Sequence, residues 1–228
     1  MDEGKVFLIN KPHGWTSFDV VKKVRNALKI KKVGHAGTLD PLATGLLILC
    51  AGKATKKIES YQAQEKEYTG TFVLGKTTES FDLEREVIEV ADPFHLRDED
   101  IIRAAEALTG SISQIPPAHS AIKKDGKRAY LSARKGKEVV LEPRIVEVKK
   151  FEITCVHLPE VEFRVICSKG TYIRSLARDL GSLLGVGAYL SKLERTRIGD
   201  FELNKAYELP VLIDKINSEK HADLRGPG

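Results

Sequence analysis

"VEFRVICSKGTYIRSLARDLGSLLG", residues 161–185, holds the change of period on which the reading of the fold turns. Val161, Phe163, Val165 and Cys167 alternate strictly, as in a strand with one buried face. After Ser168-Lys-Gly170 the spacing becomes helical, with Ile173, Leu176, Ala177, Leu180, Leu183 and Leu184 on one stripe and Gly185 as the stop. A strand over Ile145–Cys155 comes before it. Further upstream lie a strand at Val6–Ile9 and a helix capped by Thr16 or Ser17, with Val20, Val21, Val24 and Leu28 at helical spacing. Thr16-Ser-Phe-Asp19 fits a capping box with Asp in the Glu place. "LLILCAG" (46–52) is a buried run that fits strand or helix, Tyr68–Leu74 reads as a strand, and Leu96–Leu108 as a helix. Strands mix with three or more helices without a regular βαβ alternation. The expected fold is therefore α+β, a mixed, mainly antiparallel central sheet flanked by helices.

The composition narrows the class. With 228 residues, 42% hydrophobic and 30% charged, the chain can bury a full core as one domain or two small ones. Its N-terminus offers only a short apolar run, so neither a signal peptide nor a membrane span is expected and the cytosol is. Cys50, Cys155 and Cys167 sit in apolar runs without CxxC spacing, which argues for buried free thiols over a disulfide or zinc site.

The net charge is +5, and residues 114–144 hold eight cations against three acids, which leaves the remainder balanced. This segment, rich in Lys, Gly and Pro, reads as an insertion, and its Lys123, Lys124, Lys127 and Arg128 are candidate contacts to a phosphate backbone or the charges of a solvated basic loop.

Gly70-Thr-Phe-Val-Leu-Gly75-Lys76-Thr77 satisfies the phosphate-loop pattern literally. A working phosphate loop needs a strand before the first glycine and a helix after the lysine, whereas here the apolar strand lies between the glycines. An NTPase reading, which would need nucleotide binding through Lys76, is therefore rejected.

"GHAGTLDPLATG" (34–45) surrounds one carboxylate, Asp40, with three glycines. Pro41 pushes Asp40 out of helical geometry, so the acid sits on a shaped loop or on a tight connection between elements. In "NKPHGWTS" (10–17) a turn leads into a helix start, with Lys11 facing phosphate or solvent. Arg174, in the first turn of the helix after Gly170, opposes the helix dipole, which points to an ion pair with a loop carboxylate, Asp40, with a surface arginine as the alternative.

Six stretches, "NKPHGWTS", "GHAGTLDPLATG", "KEYTGTFVLG", "IPPAHSAIKKDGKRAY", "CSKGTYIRSLARDLG" and "GAYLSKLERTRIGDF", occur in one order over roughly residues 4–209. Together they resemble the bacterial TruB-type tRNA pseudouridine synthases. That resemblance implies isomerisation of uridine 55 in the T-loop of tRNA, without cofactor or metal, by a cytoplasmic monomer that needs no protein partner and no membrane. It implies Asp40 as the catalytic acid, with Tyr68 and Arg174 beside it in the reaction. It further implies that His35 fills the space left by the flipped nucleotide, Tyr172 closes the pocket, Asp82 bonds the uracil edge or a neighbouring base, and Leu193 lines the base pocket. The whole chain would be a single catalytic domain with a thumb-like insertion at 114–144. Two departures stand out: His119 where the family often has Tyr, and an end at Gly228 that leaves no room for a C-terminal PUA domain. A non-catalytic RNA-binding module is the competing reading, since it would keep the basic segment without needing Asp40.

Overall fold

The computed structural model describes residues 4–118, 123–124, 127–128 and 141–224. In chain order its elements are β1 (Lys5–Lys11), α1 (Ser17–Leu28), β2 (Val33–Ala36), β3 (Thr44–Ala51), α2 (Ile58–Ala63), β4 (Lys66–Leu74), β5 (Lys76–Thr78) and β6 (Val87–Glu89). Then follow α3 (Asp98–Ala107), β7 (Gly110–Gln114), β8 (Lys123–Lys124), β9 (Lys127–Arg128), β10 (Arg144–His157), β11 (Glu160–Cys167), α4 (Ile173–Leu183), β12 (Ala188–Ile198), β13 (Phe201–Glu202), β14 (Tyr207–Glu208) and α5 (Leu209–Leu224). The class is α+β, as expected. Two compact units divide the chain, one of residues 1–68 and 194–228, the other of residues 69–193.

In the first unit β1 pairs antiparallel with β3, and parallel pairs join β1 to β14 and β3 to the last part of β12. β3 settles the ambiguous apolar run as a strand covered on both faces. Leu47 and Leu49 pack with Ile9, Val20, Val24, Leu209 and Leu212, while Leu46, Ile48 and Cys50 pack with Ala36, Ala54 and Ile198. A strand buried on both sides reads as a continuous apolar run, so no alternation was available to identify it. α1 begins as its sequence dictates: Thr16 is the N-cap, accepting from Asp19 N at 3.0 Å, and Asp19 closes the capping box by accepting from Thr16 N at 3.0 Å.

In the second unit the order is β12-β4-β11-β10-β7, with β10 antiparallel to both β11 and β7. Phe72 and Phe163 stack at 4.0 Å between centroids, and Phe151 meets both edge-on. This packing explains the phosphate-loop look-alike. A Cβ on Gly70 would lie 2.3 Å from the Lys192 carbonyl and 2.8 Å from the Phe163 ring, so the first glycine serves close packing. The second, Gly75, turns β4 into β5, and Lys76 stands on that strand in an ion pair with Glu89 at 3.1 Å. No helix follows Lys76.

One expectation fails at Cys155, which is exposed, whereas Cys50 and Cys167 are buried. β10 carries irregularities between Val148 and Lys150 and between Ile153 and Cys155. Each adds a residue to the alternation, and the second turns Cys155 to the outer face.

The insertion expected over 114–144 falls largely outside the described residues, as does His119. Within it β8 and β9 pair antiparallel, Lys123 opposite Arg128 and Lys124 opposite Lys127. Among the described residues no helix is long and apolar enough to cross a membrane.

Candidate active site

The Asp40 loop connects β2 to β3. Gly34 lies within β2, while Gly37 and Gly45 take φ of 90° and 99° at the two ends of the loop. Both neighbours of the half-buried Asp40 are fixed. Leu39 N donates to Ser17 Oγ at 2.9 Å, and that hydroxyl donates to Leu39 O at 3.1 Å. Pro41 O accepts from Gly14 N at 2.9 Å and from Lys11 Nζ at 3.3 Å. Ala43 N closes a turn onto Asp40 O at 3.1 Å. The carboxylate thus stands on a backbone held from both sides by the start of α1 and the turn before it.

Lys11 departs from its expected position against phosphate or solvent. It is fully buried, and its ammonium donates to Pro12 O at 3.0 Å, Trp15 O at 2.6 Å and Pro41 O. Burial pulls its pKa down to about 8, with the Asp40 carboxylate pulling it back up and Arg195 adding to the fall. Between about pH 8 and the ordinary 10.5 the unfolded chain holds this proton and the folded chain does not, so stability rises with pH across that window and is lost as pH falls through 8. Urea unfolding from pH 7 to 10 is expected to show the difference between wild type and Lys11→Met growing by up to about 3 kcal/mol in favour of wild type. A flat difference would contradict the buried ammonium.

Arg195 completes the loop. It is 1% exposed, and its guanidinium joins the loop's two ends, Nε donating to Leu46 O at 2.8 Å and Nη2 to Gly37 O at 3.1 Å. Its backbone pairs with Gly45, where a Cβ would lie 2.4 Å from Arg195 O. Only glycine fits there, both for its positive φ and for this close approach. His35, on β2, is held below the ordinary imidazole range first by burial and then by the positive Arg195, both of which favour the neutral ring.

A second cluster lies in the other unit. Asp82 is buried, and its Oδ1 accepts from Ser80 Oγ at 2.6 Å and Glu84 N at 2.9 Å. Arg174, the second residue of α4 and also buried, brings Nε to 3.5 Å from Asp82 Oδ2, while its Nη1 donates to Ser80 O at 3.3 Å. The turn that presents Asp82 holds Phe81 at φ 59°, unusual for a bulky residue. Tyr172, the N-cap of α4, is clamped by the buried Gln114, which accepts from Tyr172 N at 2.8 Å and donates to Tyr172 O at 3.2 Å. Tyr68 is buried on β4 and Leu193 half-buried on β12.

The loop architecture and the buried Arg-Asp pair lie inside a chain whose residues 25–173 match the model of the TruB family pseudouridylate synthases, N-terminal domain. The chain belongs to the TruB family of pseudouridylate synthases. Residues 174–225 match the tRNA pseudouridylate synthase B C-terminal domain. The chain is 48% identical over 221 residues to tRNA pseudouridine synthase B of Flavobacterium johnsoniae, covering 94% of this chain and 96% of the relative. It is 51% identical over 212 residues to the protein of that name in Bacteroides fragilis, with coverage of 90% and 91%. Among solved structures it is similar to a chain of a Cbf5-Nop10-Gar1 complex, with TM-score 0.74 and 32% identity over 93% of this chain and 54% of that one. A chain of an H/ACA RNP bound to a substrate RNA containing 2′-deoxyuridine follows, with TM-score 0.72 and 28% identity over 96% and 55%.

This TruB-family enzyme is thus an isomerase, and its structure adds residues that the sequence reading passed over. Arg195, Ser17 and Gln114 each hold backbone beside a residue of interest. None carries a sequence signal that sets it apart from other polar residues, and Arg195 lies among the charges of a quoted motif without standing out from them. Among the described residues no group of three or more His, Cys, Asp or Glu side chains could hold a metal ion.

Proposed function

We propose that this chain converts uridine 55 in the T-loop of tRNA to pseudouridine, with Asp40 acting at the ribose. The observation that carries the reading is the loop of Asp40, fixed on both sides of the acid and set beside the Lys11 charge. The reaction breaks N1–C1′, turns the uracil within the site and joins C5 to C1′; the C5 proton leaves and N1 gains one. Nothing is oxidised and no water is added, so the chemistry needs neither metal nor cofactor. A carboxylate serves it by attacking C1′, by stabilising positive charge there, or by removing a sugar proton; each route needs the acid ionised and aimed.

The target base is extruded from the folded loop at a cost of a few kcal/mol, and a flipped base is read by stacking and by hydrogen bonds to its edge. Tyr68 offers the stacking face, His35 takes the vacated space as a neutral ring, and Tyr172 and Leu193 enclose the base. Arg174 and Asp82 enter as a pair. A carboxylate has about four acceptor sites, so Asp82 retains capacity for a uracil N–H beyond its own turn and Arg174. The protein works as a cytoplasmic monomer with no protein partner, and its catalytic domain spans the chain.

The strands Lys123–Lys124 and Lys127–Arg128 form the basic core of the thumb-like insertion at 114–144 and contact RNA phosphates. Replacing these four side chains with Ala is expected to flatten the slope of log affinity against log salt by about three units, at about 0.7 to 0.9 per contact. An unchanged slope would remove the insertion from the RNA interface. The function itself is tested by incubating the protein with an unmodified tRNA transcript and mapping pseudouridine by carbodiimide modification and primer extension. A single stop reporting position 55 is the expected result; a stop elsewhere, or none, would contradict the substrate assignment.

A further inference from the structure

Residues 20–39 contain six cations, Lys22, Lys23, Arg25, Lys29, Lys31 and Lys32, and no acid. Together with residues 114–144 they leave 23 cations against 29 acids in the rest of the chain, so the positive charge is gathered into two segments. None of the six forms an ion pair with another described residue. Lys22, Lys23 and Asn26 lie on the exposed face of α1, with Lys29 exposed at its left-handed C-cap, while Val20, Val21 and Val24 bury the opposite face.

The start of this face is concave. A groove of about 330 Å³ is lined by Gly14, Trp15, Asp19, Lys22, Lys23 and Asn26. Trp15 is 36% exposed, and the Asp19 carboxylate beside Lys22 is already bonded to Thr16 N and Oγ1. The groove touches the catalytic loop directly, because Gly14 N donates to Pro41 O, next to Asp40. A cationic groove with one aromatic face is the chemistry that tracks a nucleic-acid backbone and stacks a base.

We propose that the outer face of α1, from Trp15 through Lys22, Lys23 and Asn26 to Lys29, binds the ribose-phosphate backbone of the RNA strand that carries the target uridine, with Trp15 stacking on one of its bases. This rests on the reading of RNA as the substrate and adds a contact surface separate from the insertion at 114–144. RNA leaving the Asp40 loop would run along the groove and set its phosphates against the lysines.

Trp15 is the chain's one tryptophan, so its emission reports this groove alone. Binding of a labelled, unmodified T-arm hairpin is followed by anisotropy across a salt series and, in parallel, by tryptophan fluorescence. The hairpin is expected to change Trp15 emission saturably, with the same Kd as the anisotropy. Lys22→Glu/Lys23→Glu is expected to weaken binding at least about tenfold and to lower the salt slope by about 1.4 to 1.8. Lys5→Glu/Lys205→Glu, which alters net charge equally at sites away from the groove, is expected to change the slope by less than about half a unit. Equal behaviour of the two double variants, or an unchanged Trp15 emission at saturating RNA, would overturn the proposal. Pseudouridine formation by wild type on the same hairpin separates the two readings. Product without a groove-dependent Kd overturns the surface alone, and a groove-dependent Kd without product overturns the substrate assignment alone.

Discussion

Asp40→Asn is expected to lower the single-turnover rate on unmodified tRNA by about 10⁴-fold or more, the scale seen when a group at the reacting atoms is removed. The same variant should bind RNA within about threefold of wild type, because phosphate contacts position the RNA and do not pass through this side chain. The substitution is isosteric, and the bonds that shape the loop run through the backbone of Leu39, Asp40 and Pro41, so the loop survives it. What disappears is the negative charge beside Lys11 and, with it, every route by which the side chain could act at C1′. Filter binding and a rapid-quench time course at saturating protein separate the two effects. Parallel loss of binding and rate would instead mark Asp40 as part of the framework.

Arg174→Leu is expected to cost about 3 to 5 kcal/mol of stability, because it leaves the buried Asp82 carboxylate without its cation. The arginine stands at the start of α4, where the helix dipole disfavours a positive charge. The Asp82 charge offsets that, and Ser80 O accepts a hydrogen bond from Nη1 of the guanidinium. Arg174→Lys keeps the charge but not the planar fork that reaches the carboxylate and the carbonyl together, so it should lose most of the rate while unfolding nearer to wild type. Removing both partners, Arg174→Leu/Asp82→Leu, should be less destabilising than Arg174→Leu alone, since no charge is then stranded. Urea titration of the three variants decides the matter; an Arg174→Leu variant within about 1 kcal/mol of wild type would contradict the paired assignment.

The elements that announced themselves in the sequence were those whose local signals agreed with their surroundings. α1 carried its capping box and its valine stripe, and β11 alternated strictly because only one of its faces is buried. β3 was ambiguous because both its faces are covered, and Cys155 was misplaced because irregularities in β10 shift the alternation in a way that composition does not record. β12 went unread as a strand: its burial follows no single period, and its chain serves both compact units.

At the candidate site the motifs picked out Asp40, Asp82 and Arg174, but not the groups that hold them. Lys11 and Arg195 look like surface cations in a one-dimensional reading, and only the fold reveals that backbone carbonyls surround their charged ends. The six cations of residues 20–39 were hidden for a simpler reason. Outside residues 114–144 the charges balance, and that average concealed a basic stretch offset by acids elsewhere.

The central claim is that an ionised Asp40 drives exchange of the N1–C1′ bond for C5–C1′ in a tRNA uridine. Each such event releases the hydrogen on uracil C5, so a transcript tritiated at uridine C5 reports it directly. With wild-type protein one tritium per tRNA should appear in solvent and the release should then stop, while Asp40→Asn binds the same transcript and releases none. Wild-type protein that binds the transcript without releasing tritium, or Asp40→Asn that releases it at the wild-type rate, would contradict the account.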